Sequence, residues 1–178
     1  MVKHPAPVHA GYLTASQQFD HNERQLHSPA RPMRPFRNAT STVPSMNSAA
    51  EIEKLLVDAG ATSVSKWYED KQLAGFLFMI SLSGDNLVFR LPANVGMVAR
   101  QLMLAEKHPD ASMRTRIQAQ AARTAWRTLH EWVQAQVNIL EAGQADLLQV
   151  FLPYNFNQAS GRSYYDYVKA GAVTLLAA

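Results

Sequence analysis

Between residues 48 and 60 the apolar positions Ile52, Leu55, Leu56 and Ala59 recur at helical spacing. Ser48-Ala49-Ala50-Glu51 has the form of a capping box, in which the Ser hydroxyl accepts from the Glu51 amide and the Glu carboxylate reaches back. Gly60 supplies the stop, so the spacing predicts an amphipathic helix of about three turns. The period then shortens to two. Residues 62–69, 75–83 and 87–91 are rich in β-branched and aromatic side chains and read as strands. Asp70-Lys71-Gln72 is a polar link and Ser83-Gly84-Asp85-Asn86 carries tight-turn chemistry, which predicts an antiparallel meander. In the central strand Phe76, Phe78, Ile80 and Leu82 share one face, with Leu77 and Met79 on the other.

Helical spacing returns after Pro92. Asn94 is placed to cap a helix from 95 to about 107 with Val98, Leu102 and Met103 on one side, and His108-Pro109-Asp110 ends it. Ser112 opens the longest pattern, running without Gly or Pro to Gly143, about 30 residues or 45 Å. Its apolar stripe is Ala122, Trp126, Leu129, Val133, Val137 and Leu140. A short helix over 145–152 stops at Pro153, and the aromatic tail from Tyr154 is expected to dock on the body. Three strands and four helical segments without βαβ alternation predict an α+β fold: a small three-stranded antiparallel sheet packed with helices, one of them long and in the C-terminal half.

Composition adds a division of the chain. Residues 1–45 contain six prolines, four histidines and no sustained period, which predicts a disordered or extended leader before a single α+β domain over 46–178. The leader holds five basic residues against two acidic ones and the body twelve of each, so the formal +3 belongs to the leader. Met33 and Met46 suggest a start codon downstream of Met1. The absence of cysteine excludes disulfides, thiolate metal sites, a thiol nucleophile and a redox dithiol. No apolar run follows the first charged residues, and no window approaches the roughly 18 apolar residues of a membrane span. A cytoplasmic location without membrane attachment is the default expectation. Asn38-Ala39-Thr40 matches a glycosylation sequon by chance in that setting.

Chemistry-bearing patterns are few. The leader histidines His4, His9, His21 and His27 lack metal-ligand spacing, and His130-Glu131 is followed by Gln134 where a zinc-protease motif needs histidine. No phosphate loop, nucleophile elbow or paired carboxylates occur, so neither a catalytic residue nor a cofactor or metal is expected. Arg116, Arg123, Arg127 and His130 fall within about 60° on one face of the long helix. With Arg114, and with Lys107 and Gln120 as extensions, they form a track able to meet phosphates. The competing reading is that they cover the core edge and pair with carboxylates such as Glu131 or Glu141. Tyr154, Tyr164, Tyr165 and Tyr167 offer a protein-binding surface instead. Trp67 and Tyr68 point to opposite faces, Trp126 and Trp132 are structural, and Ala121, Ala125, Trp132 and Ile139 form a second strip for self-association.

Several stretches resemble a group of small phage and prophage proteins of unknown function. They are Ala39-Thr40-Ser41-Thr42-Val43-Pro44, Glu51-Ile52-Glu53-Lys54-Leu55-Leu56, Phe89-Arg90-Leu91-Pro92-Ala93, Ala122-Arg123-Thr124-Ala125-Trp126-Arg127 with Glu131-Trp132-Val133-Gln134-Ala135-Gln136, and Val150-Phe151-Leu152-Pro153-Tyr154. The likeness spans about residues 37–170, implies an accessory gene of a virus or integrated element, and brings no activity with it. The long leader is foreign to that pattern. The leading expectation is a non-enzymatic accessory protein that associates with nucleic acid or its processing machinery through Arg114, Arg116, Arg123, Arg127 and His130. The alternative is an adaptor or inhibitor of a host or phage protein that uses the tyrosines.

Overall fold

The structure is a computed structural model that describes residues 36–82, 84–106 and 108–172. Its elements are α1 (Ser45–Asp58), β1 (Ser63–Glu69), β2 (Gln72–Leu82), β3 (Asp85–Pro92), α2 (Val95–Leu104), α3 (Ala111–Glu141), α4 (Leu147–Phe151), a 3-10 turn (Leu152–Tyr154), β4 (Phe156–Asn157), β5 (Arg162–Ser163) and α5 (Tyr164–Lys169). The three long strands form an antiparallel sheet in the order β1-β2-β3, as the spacing predicts. Both hairpins turn over two residues. Glu69 pairs with Gln72 and Leu82 with Asp85, and Asp70 and Lys71 hold positive φ, the geometry that matches the twist of the strands they join.

Alternation along the strands commits one sheet face to the core. Phe76, Phe78, Phe89 and Leu91 are buried with Ile52 and Leu56 of α1, Trp126, Val133 and Val137 of α3, and Phe151 of α4. Phe78 stacks on Phe89 at 5.1 Å, and Phe151 meets both edge-on. Leu82, expected on this face, is 38% exposed because β2 outruns the layer above it. Trp126 packs edge-on against Phe76 and Trp132 against Phe151, so both tryptophans are structural.

Helix starts depart from the sequence reading. Ser48 caps nothing: α1 begins one turn earlier at Ser45 behind Pro44, and the Ser48 hydroxyl is buried without a partner among the described residues. Asn94 sits in the left-handed region, and its side chain makes no cap hydrogen bond among the described residues. The cap of α3 is Asp110, which accepts from the Met113 amide at 2.7 Å, rather than Ser112. The buried face of α3 is also rotated toward Ile117, Ala121 and Ala125, because both α1 and α2 pack on this helix. The self-association strip is therefore unavailable: Ala121 and Ala125 are buried and Trp132 lies against Phe151 and Tyr154.

Residues 36–44, placed in the leader by composition, lie on α3. Gln120 Nε2 donates to the carbonyls of Ala39 and Ser41 at 3.0 Å each, Thr124 Oγ1 donates to Asn38 at 2.9 Å, and Arg123 Nε to Ser41 at 3.2 Å. This strap shows no periodicity because side chains distant in sequence satisfy its backbone. The leader expectation for residues 1–35, with its four histidines and Met33, lies outside the described residues, as does Lys107, while Met46 stands in the first turn of α1.

Candidate functional site

The arginine flank of α3 is assembled as the helical spacing requires, but Arg123, Arg127 and His130 are engaged by other segments. Arg127 reaches Glu51 at 3.4 Å and Glu131 at 3.5 Å, while Arg37 holds the other oxygen of Glu131 at 3.0 Å. Arg123 is bound to the Ser41 carbonyl and to Gln120. His130 Nε2 lies 3.2 Å from Glu51, and its Nδ1 is buried without a partner among the described residues. Burial holds the His130 pKa below the ordinary 6.5, assisted by Arg127 and opposed by Glu51 and Glu131. A neutral ring with its proton on Nε2 fits this environment, leaving only a bare lone pair at Nδ1. Arg114 donates to the Pro109 carbonyl, and Arg116 has no ion pair among the described residues. The flank thus clamps the strap, α1 and α3 together, with each half-exposed pair worth about 1 kcal/mol or less.

The tyrosines separate. Tyr154 leans on Trp132 at 5.3 Å, and its burial raises the phenol pKa. Tyr167 donates to Ser160 at 2.6 Å under the Arg162 guanidinium, 4.8 Å from its ring, and Tyr164 is half-buried. Tyr165 is 56% exposed. Asn155 positions this segment: it bridges to Phe89, donates to the Val88 carbonyl at 3.1 Å and accepts from the Tyr164 amide at 2.7 Å. A capping box then fixes the start of α5. The Asp166 carboxylate accepts from the Ser163 amide and hydroxyl, and these bonds, with Arg162 and Arg90 nearby, hold its pKa down.

Between this segment and the end of β3 lies a hollow of about 490 Å³ lined by Pro92, Pro153, Tyr154, Phe156 and Tyr165, with Arg90, Asn94, Ser163 and Asp166 at its polar margin. Arg90 is its rear wall. The guanidinium stacks 4.7 Å from the Trp67 ring and 5.3 Å from Phe156, and meets Glu69 at 3.6 Å. Beyond Arg90 a second depression of about 600 Å³ includes Trp67, Met97 and Arg100. Tyr154 and Tyr165 were singled out by their sequence; Arg90, Pro92, Pro153 and Phe156 were not. The available signal was Gly75, an isolated glycine in an apolar strand, which marks a close approach. It is paired with Trp67, and a Cβ there would collide with the Trp67 ring and the Leu91 carbonyl.

Among the described residues no three His, Asp or Glu side chains are grouped to hold a metal, and no helix is long and apolar enough to cross a membrane. No family model matches the chain, and neither a curated protein nor a solved structure matches it.

Proposed function

We propose that this protein is a non-enzymatic docking module that binds a segment of another protein in the hollow beside Tyr165. The observation that carries this reading is the contrast between two surfaces. The arginine flank spends Arg123, Arg127 and His130 on internal partners, whereas the hollow presents proline and aromatic faces beside a 56% exposed tyrosine. Tyrosine provides large contact area at small entropic cost, which suits it to the centre of an interface. An adaptor or inhibitor of a host or phage protein is also compatible with the prophage likeness, which carries no chemistry. Nucleic-acid association keeps fewer supports, chiefly Arg114 and Arg116.

Selection from a random peptide library with the wild-type chain as bait, counter-screened against Tyr165→Ala, tests the proposal. Peptides enriched by the wild type and lost by the variant are the expected result. A library that yields no enrichment, or binders indifferent to Tyr165→Ala, overturns it.

A further inference from the structure

We propose that the hairpin formed by α2 and the first half of α3 is a further docking surface, which takes an amphipathic helix with an acidic polar face from another protein. The inference is independent of the hollow beside Tyr165, with which this surface shares no lining residue.

α2 is more apolar than its cover accounts for. Its ten residues, Val95–Leu104, carry one charge, on Arg100, yet only Ala99 among them is buried. Met97 and Leu104 are each 57% exposed. A helix that apolar is ordinarily covered on more than one side, and α2 packs chiefly on α3. Where the two helices part they leave a groove of about 550 Å³ floored by Leu102, Met113 and Ile117, with the small Ala105 and Ala119 leaving its sides low. Gln120 and Arg123, both bonded to the strap, mark its end along α3. An apolar groove between two helices accepts a third, whose side chains at i, i+3, i+4 and i+7 fill it.

Charge then selects the occupant. Residues 95–124 hold five basic residues against two acidic ones, and the rest of the 46–178 body holds seven against ten, so the neutral body is polarised with its positive pole on this hairpin. These cations are poorly compensated. Arg116 on the groove margin and Arg100 on α2 make no ion pair among the described residues. Arg114 and Arg123 are bonded, but only to the neutral oxygens of Pro109, Ser41 and Gln120, so their charge persists. Of the two acids, Asp110 is spent on the α3 cap, and Glu106 is the one carboxylate lining the groove among the described residues.

A ligand with carboxylates flanking an apolar stripe matches both the floor and the margin. Other occupants fail on one or the other. Residues 1–35 hold four basic residues against two acidic ones, and a second copy would bring the same cations to the groove. A phosphate backbone has the right sign but would set charge against Leu102 and Met113.

The test uses the full chain as bait for a library of helical peptides about 15 residues long. Leucine is fixed at i, i+3, i+4 and i+7, and Glu, Gln or Lys is free at the flanking positions. Enrichment of Glu over Lys is expected. An enriched peptide should gain helicity on binding, shift amide resonances of residues 102–123, and weaken several-fold between about 0.05 and 0.5 M salt. Arg116 and Ala105 are exposed, so their variants keep the fold. Arg116→Gln should weaken binding about two- to five-fold, and Ala105→Glu about ten-fold or more, by bulk and like charge. Enrichment of Lys, absence of enrichment, or binding indifferent to Ala105→Glu overturns the inference. Displacement of the bound peptide by single-stranded DNA of equal total charge also overturns it, in favour of nucleic acid. Binding lost on Tyr165→Ala, with shifts centred on the hollow, overturns it while supporting the docking reading above.

Discussion

Gly75→Ala probes the support beneath the hollow. Gly75 faces Trp67 in the β1–β2 pairing and Pro92 in the β2–β3 pairing, and the indole lies across it to reach Arg90. An added Cβ would fall inside 3.0 Å of Trp67 carbons Cη2 and Cζ3 and of the Leu91 carbonyl oxygen. The ring can swing aside, but the carbonyl belongs to the neighbouring strand and cannot. Overpacking of this kind costs about 1–3 kcal/mol. Displacing the indole forfeits a further ~1 kcal/mol of stacking on Arg90. The sum of about 2–4 kcal/mol corresponds to a Tm lower by roughly 6–16 °C for a domain of this size. Thermal and urea unfolding, followed by near-UV circular dichroism and tryptophan fluorescence, measure it. A Trp67→Ala background separates the two contacts: Gly75→Ala should cost at least about 1 kcal/mol less there, with the carbonyl clash remaining. A Gly75→Ala protein within about 0.5 kcal/mol of the wild type, with unchanged fluorescence, would refute the close approach.

Thr124→Val keeps the shape of a fully buried side chain while removing its donor to Asn38. The half-buried Asn38 carbonyl keeps the Ser41 amide as a partner at 2.9 Å, while Gln120 Nε2 also loses its bond to the hydroxyl; a loss of about 1 kcal/mol is expected in denaturant titration, and no loss would show the strap to be incidental. His130 has its pKa depressed in the folded state, so its contribution is complete above the unfolded value near 6.5 and is lost as pH falls through the lower folded value. Wild type should therefore lose more stability than His130→Gln between about pH 7 and 5, with Glu51, Arg127 and Glu131 facing the ring in the wild type and parallel pH profiles counting against the effect. Mobility-shift titration against single- and double-stranded nucleic acids should give only weak binding at moderate salt, because Arg123 and Arg127 of the α3 flank are engaged; tight, salt-sensitive binding abolished by Arg127→Ala would restore the nucleic-acid reading.

The meander and the long helix were legible because local periodicity alone specifies them. Phe76, Phe78 and Ile80 alternate, and 31 residues pass without a breaker. Helix starts were less so. Ser48 and Glu51 have capping-box spacing, yet Pro44 can open a helix without a side-chain cap, and burying Ser48 on the core side of α1 overrides its local preference. The arginine face was visible as geometry, but its neutralisation was not, since Glu51 and Arg37 come from other segments. The hollow was half visible: its tyrosines form an obvious cluster, whereas the Trp67, Arg90 and Phe156 stack joins three elements that no pattern in the chain connects.

The strap over residues 36–44 also bears on the order of assembly. The meander closes across two-residue turns, whereas the strap contacts residues 79 to 94 positions away. Contacts of high separation form late, after the entropy of closing the intervening loop has been spent. On that ground the strap is expected to act mainly on the return path, setting the lifetime of the native state more than the speed of reaching it. It behaves as a kinetic latch: loosening it at Thr124 should hasten unfolding while leaving refolding nearly unchanged.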